Sequence, residues 1–415
     1  MNGSGRVGGL AVTGIGLVTP AGIGAKETWE RVCAGRATAA EDPALSGLPV
    51  RFSCRVPGFD PRRHVHGAQP WRHDRFTQLA MAAARESVDD AGLDPATWDG
   101  TRVAVVLGSA AGGIGTYETQ HRKFLSAGSR SLSPHTLPAF LPNMAAGQLA
   151  IALRVKGAVL HTATACASGS TAIITAAMML HSGSCDIAIA GGADAMITPL
   201  CATAFAQLGA LSRHNDEPAA ASRPFDAARD GFVLAEGAGV LVLEREGDAA
   251  ARAASVHARL TGYGVSSDAH HPVAPDPEGK GLELAIRRAL TAAGADCADV
   301  DHINAHGTST PLNDRTEAAV LHRLFHAAPP SVTAAKGVIG HTMGAAGAVE
   351  AALTALTIEH QLVPPTANFH RTEPGTAPLD LVHARPRRQH IGLALSNSCG
   401  FGGHNAVLAL QPATT

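Results

Sequence analysis

The chain has 415 residues, 45% of them hydrophobic and 16% charged, with a formal net charge of −2. That composition excludes a disordered chain, and the near-zero charge excludes a general nucleic-acid binder, which needs a basic face. Glycine is abundant at 45 residues and aromatics make up only 4%, which favours close backbone packing over a stacking surface for bases.

The seven cysteines stand at 33, 54, 166, 185, 201, 297 and 399, an odd and scattered set with no C-x-x-C pair. Neither a disulfide framework nor a structural zinc site is expected, and a reducing compartment fits best. The opening stretch MNGSGRVGGLAVTGIG has no cleavable apolar segment. The most apolar stretch, 158–180, is broken by His161, Thr162, Thr164 and Ser168, so no membrane span is expected and a cytoplasmic location follows.

In chain order, GLAVTGIGLVTP (9–20) reads as a buried strand, and RLTGYGVSSD (259–268) echoes it. The helix-like ARESVDDAGLD (84–94) is echoed by AIRRALTAAGAD (285–296), and each precedes a strand, TRVAVVLGSA (101–110) and VDHINAHGTS (300–309). These echoes predict two related halves, 1–254 and 255–415, the first carrying extra insertions. Between them, 157–165 and 185–195 read as buried strands around a helix at 168–183, a parallel crossover. Segments 123–137 and 212–232 read as exposed loops.

Four places carry chemistry. In HTATACASGSTAII, Cys166 sits where a strand ends and a helix begins, so the helix dipole is expected to lower its pKa; a buried structural cysteine is the plain alternative. In DHINAHGTSTPLND (301–314), a strand delivers His306 into a turn rich in hydroxyl and backbone donors. In AAKGVIGHTMGAAGAVEAAL (334–353), His341 is read at a helix start, where the dipole favours neutral imidazole, and Lys336 with Glu350 forms a plausible buried pair. The small residues of GAAGA also fit simple helix packing. In ALSNSCGFGGHNAVLAL (393–409), a Gly-rich turn between strands presents N–H groups to an oxyanion, or is just a tight hairpin. A thiol nucleophile, two histidines and an oxyanion-type turn, drawn from both halves, fit acyl transfer through a thioester.

These segments, with SRPFDAARDGFVLAEGAGVLVLE (222–244), resemble an elongating β-ketoacyl-acyl-carrier-protein synthase over nearly the whole chain. The resemblance implies the thiolase fold, an α/β architecture of two related halves in αβαβα layers. It implies Cys166 as acyl acceptor, His306 and His341 as stabilisers of the thioester enolate left when CO2 departs, and Lys336 and Glu350 as supports. It places the oxyanion hole at the N–H groups of Cys166 and Phe401, with the Phe401 ring as gate, and Thr308 and Thr310 along the carrier arm's route. No cofactor is implied beyond the carrier's phosphopantetheine, and no metal. Two histidines indicate elongation, since initiating synthases have Asn in place of one.

The sequence departs from the family at Cys399, usually Phe, and at His404, commonly Thr. Ala111 stands where fatty-acid relatives often carry a bulky aliphatic residue in the acyl tunnel, so that tunnel is expected to be wider unless Phe140 or Phe205 fills it. These departures lean towards a type II polyketide-like pathway without excluding fatty-acid synthesis. An acidic acyl carrier protein is the implied partner, with Arg72 and Arg130 as docking residues and Arg62, Arg63 and Arg213 as substitutes. The family forms dimers, here with itself or with a chain-length-factor homologue that activates it. A thiolase acting on acyl-CoA is the nearest rival, because Cys399 could stand for its second cysteine. A silent partner subunit is excluded by Cys166 and both histidines.

Overall fold

The computed structural model describes residues 9–65 and 69–413, so residues 1–8 of the N-terminal reading and the last two threonines lie outside it. β1 (Leu10–Thr19) is buried along its whole length, as a run without polar alternation requires. α1 (Arg75–Asp90) is capped by the Asp74 carboxylate, which accepts the Phe76 N–H, and its buried face of Phe76, Leu79, Ala80 and Ala83 packs on β1. The first half continues through β2 (Val103–Gly108), α2 (Ile114–Ala127), β3 (Val159–Thr162), α3 (Ser168–His181), β4 (Ile187–Ala195) and β5 (Glu236–Arg245). The second comprises β6 (Ala258–Ser267), α4 (Lys280–Ala293), β7 (His302–Asn304), α5 (Pro311–Phe325), β8 (Ser331–Thr333), α6 (Ala346–His360), β9 (Ala394–Gly400) and β10 (His404–Gln411).

One 12-stranded sheet joins the halves, in the order β8-β7-β9-β10-β6-β1-β5-β4-β2-β3, with Asp380–Leu381 beside β8 and Gly22–Ile23 hairpinned on β1. β6 and β1 pair antiparallel at the centre. Outward from there, each half places its strands first, fifth, fourth, second, third. The pairings repeat too: two antiparallel contacts, then two parallel ones. The sequence echoes fall on equivalent elements: β1 with β6, α1 with α4, β2 with β7. The repeat sets the chemistry, because the turn after β3 that holds Cys166 and the turn after β8 that leads to His341 occupy equivalent places.

α3 and α6 lie between the two halves of the sheet, while α1 and α4 cover its outer faces, giving αβαβα layers. Every residue of α6 from Ala346 to Ile358 is buried, so small and apolar side chains are needed all round the helix. Where the two inner helices start, Gly169 and Gly347 are obligatory. A Cβ on Gly169 would stand 2.7 Å from the Ala348 nitrogen, and one on Gly347 2.3 Å from the Ser170 Oγ.

Two expectations are corrected. β3 is the outer edge strand, and Val159 and Leu160 are exposed rather than buried. Segment 212–232 is not a free loop: Ser222, Phe225, Asp226, Arg229 and Phe232 are buried, and the Arg229 guanidinium is closed in by Asp314 and Glu373. Among the described residues no helix is long and apolar enough to cross a membrane.

Candidate active site

Cys166 lies in the tight turn Ala165–Ala167 between β3 and α3, and Ala165 takes the left-handed conformation at φ 50°. Non-glycine residues at φ 69° and 54° recur at Ser309 and Met343, in the two histidine-bearing turns. Each of the three turns that bring these side chains together thus holds one strained residue. The thiol opens into a cavity of about 540 Å³ whose wall also includes His306, Thr308, Thr310, His341, Cys399 and Phe401.

The expected fall in the Cys166 pKa is not what the geometry gives. Burial pushes the thiol up to about 12, against the opposing pull of the Lys336 cation and of the Phe401 N–H directed at the sulfur. Burial thus favours the neutral thiol in the resting site.

His306 follows β7 and is held by its backbone. Glu317 of α5 accepts the N–H groups of His306 and Gly307, both at 2.8 Å. The Lys336 ammonium donates to the His306 carbonyl at 2.6 Å, stands 3.4 Å from its Nδ1, and is paired with Glu350. Lys336 and Glu350 are both 1% exposed. Burial pushes the Glu350 carboxyl up, opposed by Lys336. Burial, then Lys336 and His341, hold the His306 imidazole well below its ordinary pKa.

His341 lies between two helical segments: Gly340, at φ 68°, ends the short helix Lys336–Ile339, and a 3-10 turn at Met343–Ala345 runs directly into α6 at Ala346. The His341 main chain is fixed against the 233–235 strand, its N–H donating to the Val233 carbonyl at 2.8 Å. Its neutrality comes chiefly from burial and secondarily from Lys336. The Met343 N–H donates to its Nδ1 at 3.2 Å, so the proton of the neutral ring is on Nε2. Lys336 beside His306 Nδ1 imposes the same tautomer there. The two rings stand edge to face, centroids 5.6 Å apart at 85°.

The β9–β10 hairpin carries Phe401 in its turn, with Gly402 and Gly403 at φ 87° and 74°. Gly400 lets the hairpin rest on the nucleophile: a Cβ there would be 2.5 Å from the Thr164 carbonyl oxygen. Phe205 meets Phe232 edge to face at 5.5 Å and approaches Phe401 at 6.5 Å. Ala111 and Phe205 pack against the buried cluster that contains Cys166. The main chain of Phe140 rests on the loop just after Ala111, its carbonyl accepting the Gly113 N–H at 2.9 Å, while its ring lies 5.0 Å from Tyr117. Arg72 and Arg130 are exposed, the former stacked over Trp71 at 5.0 Å. Arg62 is paired with Asp60. Arg213 is exposed, and its N–H donates to Asp230, a cavity-lining residue, which puts it near the rim.

The comparisons agree with this geometry. The family model described as the β-ketoacyl synthase N-terminal domain matches residues 9–249, and that of the C-terminal domain matches 257–370. The chain belongs to the β-ketoacyl synthase family. The 3-oxoacyl-[acyl-carrier-protein] synthase 2 of Staphylococcus aureus (strain COL) is 39% identical over 406 residues, covering 97% of this chain and 98% of the relative. The ishigamide ketosynthase/chain length factor structure superposes with a TM-score of 0.93 at 35% identity, covering 99% of this chain and 100% of that one. A type II polyketide ketosynthase bound to its acyl-carrier protein and the hexaketide gives 0.89 at 29% identity, covering 99% and 100%. The enzyme is therefore an acyltransferase of thiolase fold, a ketosynthase that condenses malonyl units with an acyl chain on a carrier protein, and its substrates ride on the carrier's phosphopantetheine.

Several residues of this ketosynthase were not found from sequence. Asp194 at the end of β4 is fully buried, accepting Ser109 Oγ at 2.6 Å, the Ala110 N–H at 2.9 Å and the Gly344 N–H at 2.6 Å. It ties the loop after β2 to the turn after His341, and burial pushes its carboxyl up to about 6. Glu317 and Asp314, three apart on α5, both face inward. Two carboxylates on the buried stripe of an otherwise amphipathic helix were the available signal.

Proposed function

We propose that Cys166 takes the acyl group from a carrier thioester, releasing the carrier thiol, and that His306 and His341 then receive the malonyl thioester carbonyl. The C–CO2 bond breaks, CO2 leaves, and its electron pair forms an enolate whose oxygen accepts from both Nε2–H groups. The enolate carbon attacks the Cys166-bound carbonyl, whose oxyanion accepts from the Cys166 and Phe401 N–H groups. Collapse expels the Cys166 sulfur and gives the β-ketoacyl carrier. Decarboxylation makes the carbanion, so no strong base is needed, and neutral donors suit a developing negative oxygen.

The observation carrying this reading is that each imidazole has a donor against Nδ1, Lys336 for His306 and the Met343 N–H for His341, and that both rings share one cavity with the thiol. Removing one such donor costs about 3–4 kcal/mol, a hundred- to thousand-fold in rate. The His341→Ala variant is therefore expected to load acyl groups onto Cys166, seen by intact mass, while CO2 release from malonyl carrier falls by that factor. Equal loss of loading and CO2 release would refute the role.

We place Thr308 and Thr310 on the carrier arm's route; their hydroxyls meet at 2.9 Å on the cavity wall. Docking of an acidic carrier is assigned to Arg72 and Arg130, with Arg213 nearer the rim. The halves are divided at 254/255. A cytoplasmic location and a specialised polyketide-type pathway fit best, the latter because Ala111 stands where fatty-acid relatives often carry a bulky aliphatic residue. The functional unit is a dimer, with itself or with a chain-length-factor homologue: the edge strand β3 exposes Val159 and Leu160, and Ile151 and Met178 are also exposed at 73% and 57%. Consumption of acetyl units without CO2 release would instead mark the thiolase-like reaction.

A further inference from the structure

The buried carboxylate of Asp194 takes no part in the steps described above and does not line the cavity, yet it reaches both sides of the site. Its Oδ1 accepts the Ser109 hydroxyl at 2.6 Å and the Ala111 N–H at 3.4 Å, and its Oδ2 accepts the Ala110 N–H at 2.9 Å. The Ser109 Oγ in turn accepts the Gly112 N–H at 2.8 Å. Three consecutive N–H groups of the loop after β2 thus end on this carboxylate, directly or through one hydroxyl. Ala110 and Ala111 pack against the buried cluster that holds Cys166.

From the other side, Oδ2 also accepts the Gly344 N–H at 2.6 Å. The preceding N–H, that of Met343, is the one directed at His341 Nδ1. Two successive N–H groups of one turn are therefore divided between the imidazole and the carboxylate. Met343 is left-handed at φ 54°, a conformation that a residue with a side chain keeps only where its surroundings hold it. The two segments pack directly: a Cβ on Gly344 would stand 2.4 Å from the Ala110 nitrogen and 2.5 Å from Asp194 Oδ2. Without the carboxylate the Gly344 N–H is a buried donor with no acceptor, and the turn must shift to satisfy it. A shift there takes the Met343 N–H off Nδ1. The ring proton can then sit on Nδ1, and Nε2 presents a lone pair to the oxygen that becomes negative.

We infer that Asp194 is a positioning residue for decarboxylation: by holding the Gly344 N–H it keeps the Met343 N–H on His341 Nδ1 and the ring proton on Nε2, towards the malonyl thioester oxygen. This inference rests on the role of His341 in the condensing reaction proposed above. Asp194 acts through the turn and touches no substrate. Burial pushes its carboxyl up to about 6, so at neutral pH it is still mainly a carboxylate, which only accepts.

The test uses the full chain, with its partner subunit if one co-purifies. Acyl loading of Cys166 is read by intact mass, CO2 release is read from malonyl carrier, and the His341 tautomer is read from 15N spectra of histidine-labelled protein. The His341 signals are those lost in His341→Ala. Asp194→Asn keeps the shape, removes the charge and turns one acceptor oxygen into a donor. Its CO2 release should fall at least about fivefold while acyl loading stays within about twofold of wild type, because neutral hydrogen bonds are the weaker ones. Asp194→Val offers no acceptor, and its fall should approach the roughly hundredfold of losing one enolate donor. The His341 Nδ1 signal should be that of an unprotonated nitrogen in wild type and move towards the protonated one in both variants. Should Asp194→Val not fold, Asp194→Asn decides alone. Wild-type CO2 release in Asp194→Asn, equal falls in loading and CO2 release, or an unmoved His341 Nδ1 signal overturns the inference and leaves the condensing reading intact. A wild type that yields no β-keto product from any primer overturns the condensing reading and this inference with it.

Discussion

The Lys336–Glu350 pair is the sharpest place to separate stability from catalysis. Both side chains are 1% exposed, and the second carboxylate oxygen of Glu350 has no partner among the described residues. Replacing Lys336 by Met strands a carboxylate in the core, and replacing Glu350 by Leu strands an ammonium. Breaking a buried pair from one side costs about 3–5 kcal/mol, whereas exchanging both members for apolar residues of similar volume is often neutral. Each single variant should therefore lose about 3–5 kcal/mol in guanidinium unfolding followed by circular dichroism. The double variant should be more stable than either, a coupling of about 3 kcal/mol or more. Activity should follow a different pattern. Without Lys336 the thiol loses the cation that opposes its burial, and the His306 carbonyl loses its 2.6 Å donor. Carrier-bound product should then fall at least a hundredfold in Lys336→Met and stay low in the double variant. Single losses below about 1 kcal/mol, or strictly additive losses, would refute the reasoning.

Two further outcomes follow from particular contacts. Gly400→Ala drives a methyl group to 2.5 Å from the Thr164 carbonyl oxygen, so it should cost about 1–3 kcal/mol and reduce kcat more than tenfold; a variant with wild-type kcat would show that the hairpin does not rest on the nucleophile turn. His257 joins the halves through Asp90 at 2.8 Å and Glu359 at 2.7 Å. Burial pulls its pKa down, but the two carboxylates outweigh it and raise the pKa from 6.5 to about 9. Because the folded value is the higher one, this stabilisation is complete below pH 6.5 and is lost as pH rises through about 9. The stability gap between wild type and His257→Gln should shrink by about 2–3 kcal/mol between pH 6 and pH 9.5, and a constant gap would contradict it.

Much of this molecule is legible in its sequence because the fold is a repeat. Echoes such as GLAVTGIG and RLTGYG mark equivalent strands, since each half must bury the same strand against the same partners. Cys166 and His306 stood out because each sits at a strand end among small residues, and His341 by its place before a run of small residues, whereas Phe401 was assigned by the family resemblance alone. What the sequence left hidden are balances that need three dimensions. The Cys166 pKa depends on burial against one cation and one N–H. The neutrality of His341 rests on burial and on Lys336, which local spacing does not show. The exposure of β3 follows from its edge place, which a short apolar run does not reveal. Asp194 ties loops far apart in the chain, and no local spacing marks it.

The most direct test of decarboxylative condensation is the mass of the carrier-bound product. The full chain would be mixed with malonyl carrier and with acyl carriers of several lengths, beside the Cys166→Ala variant. A β-keto product two carbons longer than the primer, with CO2 released and no product from the variant, is the expected result. An elongated product made without loss of CO2, or one that persists in Cys166→Ala, would contradict it.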